Sequence, residues 1–321
     1  MPFGKYAPGV NPESSAQGLR ARRRATLPVM TSAPRLPAPA HELIDRRYSC
    51  RTYLARPITA GDQRRLLDFM ATRSTGPLGS QARFGLLAAA PGDRQALRRL
   101  GTYGFIKGAT GFIVGAVRRA PRDLEDCGYL LEEIILFATW MGLGTCWLGG
   151  TFTRSTFVRR FGGLERGETM PAVVSTGYIG DDGTERIRER EEGDRRLPPG
   201  ELFFQSRYGE PLPPASATGF AGALEAVRMA PSATNKQPWR IVRDGRDWHF
   251  HLKRTKGYGK GSPVFTVLRI ADLQRVDLGI AMCHFALVAR ESGLDGRWVI
   301  ADPGLALPAG VEYTATWRGV S

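Results

Sequence analysis

Cysteine and histidine are scarce, with four of each in 321 residues. Cys50, Cys127, Cys146 and Cys283 are widely spaced and form no CxxC pair. That excludes a disulfide scaffold and the usual zinc ribbons, and it leads us to expect reduced thiols in a cytoplasmic protein. His249 and His251 alternate along a strand-like run, and His284 falls in an apolar helix-like run. A metal site built on the first two lacks a third ligand, so core roles are expected and no metal or catalytic triad is assigned. Apolar runs are short. None approaches the ~20 residues of a membrane helix. Arg20 and Arg22 to Arg24 are not followed by an apolar stretch, so neither a secretory nor a twin-arginine signal is expected.

Positive charge is abundant. The net charge is +14 and 42% of the residues are hydrophobic, enough for a real core. Nucleic acid is a natural partner for such a balance. The cations are scattered, however, and no zinc-finger spacing or reading helix accompanies them, so nucleic acid is not expected.

Periodicity divides the chain. Residues 1–40 are rich in Pro, Ala, Ser and Arg without any period, and are expected as a disordered basic tail. A short helix is expected over His41–Arg46 and a surface helix over Ile58–Ala71. Strands are expected over Phe84–Ala90, Phe112–Val117 and Pro171–Ile179. Asp126–Met141 is apolar nearly all round, which requires a buried helix, with Gly142 as its left-handed cap. Cys146–Leu148 then starts a strand, and Gly149-Gly150 bares the backbone. Asp181–Arg196 is densely charged, and Leu197–Phe220 reads as a connector. A helix over Ala221–Met229 is ended by Pro231, and a strand follows from Trp239. Between Pro231 and Pro238 stand Ser232, Thr234, Asn235 and Gln237, a rigid loop suited to the edge of a flat polar ring. An ordinary capped turn has the same composition.

The segment Pro231-Ser232-Ala233-Thr234-Asn235-Lys236-Gln237-Pro238-Trp239 resembles the flavin loop of the nitroreductase family, whose members are FMN-dependent NAD(P)H oxidoreductases. Arg47-Tyr48-Ser49-Cys50-Arg51 resembles the family's opening Arg-x-Ser-x-Arg segment. Gly142-Leu143-Gly144-Thr145-Cys146-Trp147-Leu148-Gly149-Gly150 resembles the stretch that lies along the isoalloxazine. The resemblance covers residues 41–320 and implies an α+β, nitroreductase-like fold. It implies that Arg47, Tyr48, Ser49 and Arg51 hold the phosphate or ribityl chain, and that Leu148, Gly149 and Gly150 lie beside flavin N5. It also implies that Arg195 or Arg196 supplies a cation, and that Pro231, Ser232, Ala233, Asn235 and Gln237 meet the ring edge. Tyr103–Lys107 and a Lys- and Gly-rich lid over Lys253–Ser262 are weaker candidates for contact.

The order of these motifs is unusual, because the Pro-Ser loop arrives a domain late. A repeat accounts for this. Asp126-x-Gly128 recurs as Asp277-x-Gly279, Ala138 as Ala289, Gly142-Leu143 as Gly293-Leu294 and Trp147 as Trp298, each pair 151 residues apart. The expected organisation is a first half over residues 41–200 and a second over 201–321, a homodimer made covalent as an intramolecular pseudo-dimer. The counterpart of the Pro-Ser loop, Gly76-Pro77-Leu78-Gly79-Ser80, has no Asn, and the counterpart of Gly149-Gly150 is Ile300-Ala301. One FMN per monomeric chain is therefore expected, reduced by NADH or NADPH and reoxidised by a small-molecule acceptor such as a nitroaromatic or a quinone. A non-catalytic protein of the same fold that sequesters FMN is the alternative.

Overall fold

The computed structural model describes residues 35–89, 97, 100, 102, 104–180, 195–259, 262, 265, 267–268 and 270–320. Most of the expected tail, the charged run over 181–194, Tyr103 and part of the expected lid lie outside the described residues. Ala33–Ser321 form one compact unit.

The opening helix α1 (Ala40–Arg46) buries Leu43 and Ile44, and α2 (Ala60–Ala71) starts where the Thr59 side chain accepts a hydrogen bond from the Asp62 N–H. The first sheet is built from β1 (Ala82–Ala88), β2 (Gly111–Arg118), β3 (Leu143–Leu148), β4 (Glu168–Thr169) and β5 (Val173–Tyr178). Its order is β1-β2-β5-β3 with β4 also on β2, and every pairing is antiparallel. The long helix α3 (Asp123–Trp140) precedes β3, and α4 (Arg154–Arg160) follows it. After the short α5 (Pro199–Leu202) come β6 (Phe203–Gln205), α6 (Ala221–Met229), β7 (Trp239–Asp244), β8 (Asp247–Lys253), α7 (Leu273–Glu291), β9 (Gly296–Val299) and β10 (Val311–Gly319). Their sheet has the order β6-β7-β8-β10-β9, and only the β6–β7 pair is parallel. The described strands thus form two five-stranded sheets. The expected β1 and β3 shift. β3 starts at Leu143 because its ladder with β5 already begins at the Leu143–Tyr178 pair.

Alternation explains how the first sheet is covered on both faces. Ile113 and Val174 join α2 and α3 in one core, whereas Phe112, Val114 and Val173 face Phe157 of α4. The second sheet packs Trp248, Phe250 and Trp317 against Phe285 of α7.

Helices α3 and α7 meet at the centre of the molecule. Gly128 of α3 lies against the Val276 carbonyl, and Gly279 of α7 lies against the Glu125 carbonyl, so close that a Cβ at either would collide with the backbone oxygen. Both helices then end alike, on Gly142 at φ +78 and Gly293 at φ +73. Below the crossing, Glu132 of α3 is fully buried. It accepts hydrogen bonds from the Trp147 indole at 2.9 Å and pairs with the His284 ring of α7 at 2.9 Å. Burial pushes the Glu132 carboxyl up, but His284, Arg47 and Trp147 outweigh it and hold the carboxyl below its usual range.

Two measurements follow from this architecture. Gly128→Ala and Gly279→Ala should each cost on the order of 3 kcal/mol in urea unfolding. Gly61→Ala in α2, where a Cβ meets only the Thr59 hydroxyl at 4.0 Å, should be neutral or stabilising by up to about 1 kcal/mol. His251 on β8 is fully buried, and both its ring nitrogens lack a partner. Burial, with the neighbouring His249, drives it down to about 4. The unfolded chain takes that proton near pH 6.5 and the folded chain does not. Stability is therefore complete above about pH 6.5 and is lost as the pH falls toward 4. Between pH 7 and pH 4, His251→Leu should lose about 3 kcal/mol less than the parent protein.

Candidate functional site

The edge of β3 recruits the Arg-rich segment. Ser49 bridges Thr145 in parallel, and the Cys50 N–H donates to the Thr145 carbonyl at 2.9 Å. Two residues on, the Lys107 N–H donates to the Arg51 carbonyl at 2.8 Å, which brings Phe105 and Ile106 alongside. Here the weak expectation for the stretch ending at Lys107 has a concrete backbone cause.

The Pro-Ser loop is strained. Among the described residues, Ser206, Thr234, Asn235 and Gln237 are the non-glycines with positive φ, and three of these four lie in this loop, Thr234 at +50, Asn235 at +53 and Gln237 at +46. A β-branched residue in that region is unusual and persists only where its surroundings over-determine it. Those surroundings are visible. The Ser232 hydroxyl accepts from the Gln237 N–H at 2.9 Å, and Asp277 Oδ1 accepts from the Ala233 N–H at 3.0 Å. Arg196 donates to the carbonyls of Ala230 (2.7 Å) and Met229 (3.2 Å), capping α6, and to Asn235 Oδ1 at 3.2 Å. Gln237 Oε1 accepts from the Leu197 N–H at 2.9 Å, and its amide donates to the Arg195 carbonyl at 3.3 Å.

These segments meet around a cavity of about 230 Å³. Of the residues singled out in the sequence, Ser49, Arg51, Leu148, Gly149, Pro231, Ser232 and Ala233 line it. Arg47 and Tyr48 instead line a second cavity of about 300 Å³, together with Gly142–Thr145 and Ile179. Arg47 terminates α1, and its guanidinium is drawn toward buried Glu132, at 3.8 Å. Gly150, Arg195, Arg196, Asn235 and Gln237 are not among the residues lining either cavity. For the last four the hydrogen bonds above give the reason, since their polar groups tie the 195–197 crossing to the loop. Gly149 sits against the Leu273 side chain, so its lack of a Cβ serves the packing of α7 as well as any ring.

The sequence reading missed the α7 wall, Leu273, Val276, Asp277 and Ile280. Asp277 stood in the repeated Asp-x-Gly motif, which was the signal available for it. Its carboxyl is raised well above the usual range, first by burial, with the Ala233 N–H opposing and Asp272 reinforcing.

A larger cavity, about 500 Å³, opens at the starts of α3 and α7. Its charges satisfy one another: Arg275 with Glu125 (2.5 Å), and Arg254 with Asp272 (2.7 Å) and Glu312 (3.0 Å). No group there is left over for a ligand among these pairs. Nor do three or more His, Cys, Asp or Glu residues gather as a metal site among the described residues, and none of their helices is long and apolar enough to cross a membrane.

No curated protein matches the chain. A solved Thermotoga maritima structure described as a "putative nitroreductase" aligns over 88% of this chain and 94% of its own, at 22% identity and a TM-score of 0.53, a likeness of fold. A Bacteroides fragilis nitroreductase with bound FMN aligns over 45% of this chain and 90% of its own, at 20% identity and a TM-score of 0.34. The model of the family described as "Putative TM nitroreductase" matches residues 40–289, and the chain belongs to that family.

Proposed function

We propose that this protein is a cytoplasmic FMN-dependent oxidoreductase that takes hydride from NADH or NADPH and passes it to a nitroaromatic, quinone or similar acceptor. The observation that carries this reading is the first cavity, where Ser49 and Arg51, Leu148 and Gly149, and Pro231–Ala233 converge from three distant stretches. All four cysteines are buried and none forms a disulfide, which accords with a reducing compartment.

The residues present fit such a nucleotide. Bound FMN supplies two-electron chemistry, and the protein supplies position and exclusion of water. Leu273, Val276 and Ile280 form an apolar wall for a flat ring, continued by Leu148 and by Gly149, on which Leu273 packs. Arg51 and the Ser49 hydroxyl give a charge-assisted hold on an anionic chain. The second cavity adjoins through the consecutive pairs Tyr48–Ser49 and Thr145–Cys146, and it offers Arg46 and Arg47 to a phosphate.

The fused-pair reading, one half over 41–200 and the other over 201–321, is supported by reciprocity. Gly128 meets Val276 as Gly279 meets Glu125, and in both pairs the partners' numbers exchange by the 151-residue repeat. Asp126 accepts from the Leu78 N–H as Asp277 accepts from the Ala233 N–H. The first-half loop is closed on Asp126, since a Cβ at Gly76 would collide with that side chain. Hence one flavin per chain.

A sequestering role is the second reading, because the Lys236 ammonium of the loop lies 6.0 Å from the centre of the Tyr258 ring, so that the 254–259 segment covers the loop. Flavin titration should give one FMN per polypeptide, and two would end the one-site reading. Anaerobic NADH or NADPH should bleach the bound flavin, and persistent absorbance with both would favour sequestration. Arg51→Ala should weaken FMN by on the order of 2 kcal/mol; unaltered affinity would remove Arg51 from the site.

A further inference from the structure

Two aspartates one repeat apart hold two equivalent loops, and they do so unequally. Asp126 uses both carboxyl oxygens, accepting from the N–H groups of Leu78 and Ser80 at 2.8 Å each. Asp277 accepts only from the Ala233 N–H, at 3.0 Å. Its other oxygen, Oδ2, is buried with no hydrogen-bond partner, on a residue only 4% exposed that lines the first cavity. The N–H that matches Ser80 is that of Asn235, and it turns away to the Ser232 carbonyl at 3.0 Å. It turns because Thr234 and Asn235 adopt positive φ. The loop therefore carries backbone strain and leaves a carboxyl oxygen unsatisfied, which costs more again. Neither cost serves the fold, since the Asp126 loop achieves the same closure without them. Both are explained if a ligand completes the site.

We propose that Asp277 is a cofactor-contacting residue whose protonated Oδ2 donates a hydrogen bond to a carbonyl oxygen or ring nitrogen at the edge of a heteroaromatic ring in this cavity. The inference rests on the reading of the cavity as the flavin pocket and names a contact which that reading does not contain. Burial raises the carboxyl well above its usual range, and Asp272 just before the same helix acts in the same direction, against the Ala233 N–H. Of the titratable groups on other elements, Tyr258 of the 254–259 segment acts on it, Arg51 and Cys146 line the same cavity, and α3 brings Glu125, next to Asp126, against Gly279 two residues along. Glu125 is engaged by Arg275, and Asp126 by its own loop. A neutral acid gives the ring a donor without placing a negative charge beside the electrons it receives. The donor is present below the folded-state pKa of Asp277 and disappears as the pH rises through it.

The test is FMN titration, followed by flavin fluorescence and the absorbance band shape, from pH 6 to pH 9.5. Asp277→Asn keeps an N–H donor at the same place, while Asp277→Ala removes it. Expected are parental affinity near neutral pH for Asp277→Asn, a loss of tenfold or more for Asp277→Ala with a shifted flavin band, and a parental affinity that falls at alkaline pH more than that of Asp277→Asn. Parental affinity in Asp277→Ala would overturn the inference alone. If Asp277→Ala does not fold, coincident pH profiles of the parent and Asp277→Asn would overturn it. A parent protein that binds no FMN at any pH would overturn both the flavin reading and this contact.

Discussion

Everything in this molecule is arranged around two helices that touch backbone to backbone. Side chains normally keep helix axes 8–10 Å apart. Gly128 and Gly279 remove the spacers at two matched points, and each helix lays its glycine on the other's carbonyl. Once the axes are that close, the first turns of α3 and α7 and the residues around them have fixed positions. Asp126 and Asp277 are among these, so the two loops they hold inherit the same precision. The first cavity is a by-product of that crossing, because one wall is α7 itself.

The middle of the crossing is polar as well as apolar. Glu132 has no exposed surface, yet it is satisfied by Trp147, His284 and the nearby Arg47. Breaking such a group by removing one partner costs more than the group contributes when intact. It fixes the register of α3 against α7, and it diverts Arg47 from the first cavity to the second. A cation that the motif groups with Ser49 and Arg51 thus answers to a carboxylate 85 residues away in sequence.

Local pattern carried much of this into the sequence. The buried helix ending at Gly142, the stop at Pro231 and the alternating His249 and His251 are legible because 3.6-residue and two-residue periods write themselves into composition. The cavity residues Ser49, Leu148 and Pro231 were legible through their motifs. What was not legible is long-range. Nothing near Asn235 or Gln237 says that their polar groups turn back on residues 195–197 instead of toward a ligand. Nothing near Asp277 says that the loop withholds an N–H from it. The positive φ values of Thr234 and Gln237, which decide both matters, belong to residue types that avoid that region.

The tie between residues 195–197 and the Pro-Ser loop has a consequence for how the loop closes. In two separate subunits, the strand-exit segment of one and the loop of the other would have to find each other by diffusion. Here Leu197 leads within a few residues into α5 and β6, so the clasp on Gln237 is made along a single covalent path. The loop at 76–80 rests instead on Asp126, through both carboxyl oxygens. The clasp on the Pro-Ser loop therefore closes within one chain, at a rate independent of protein concentration.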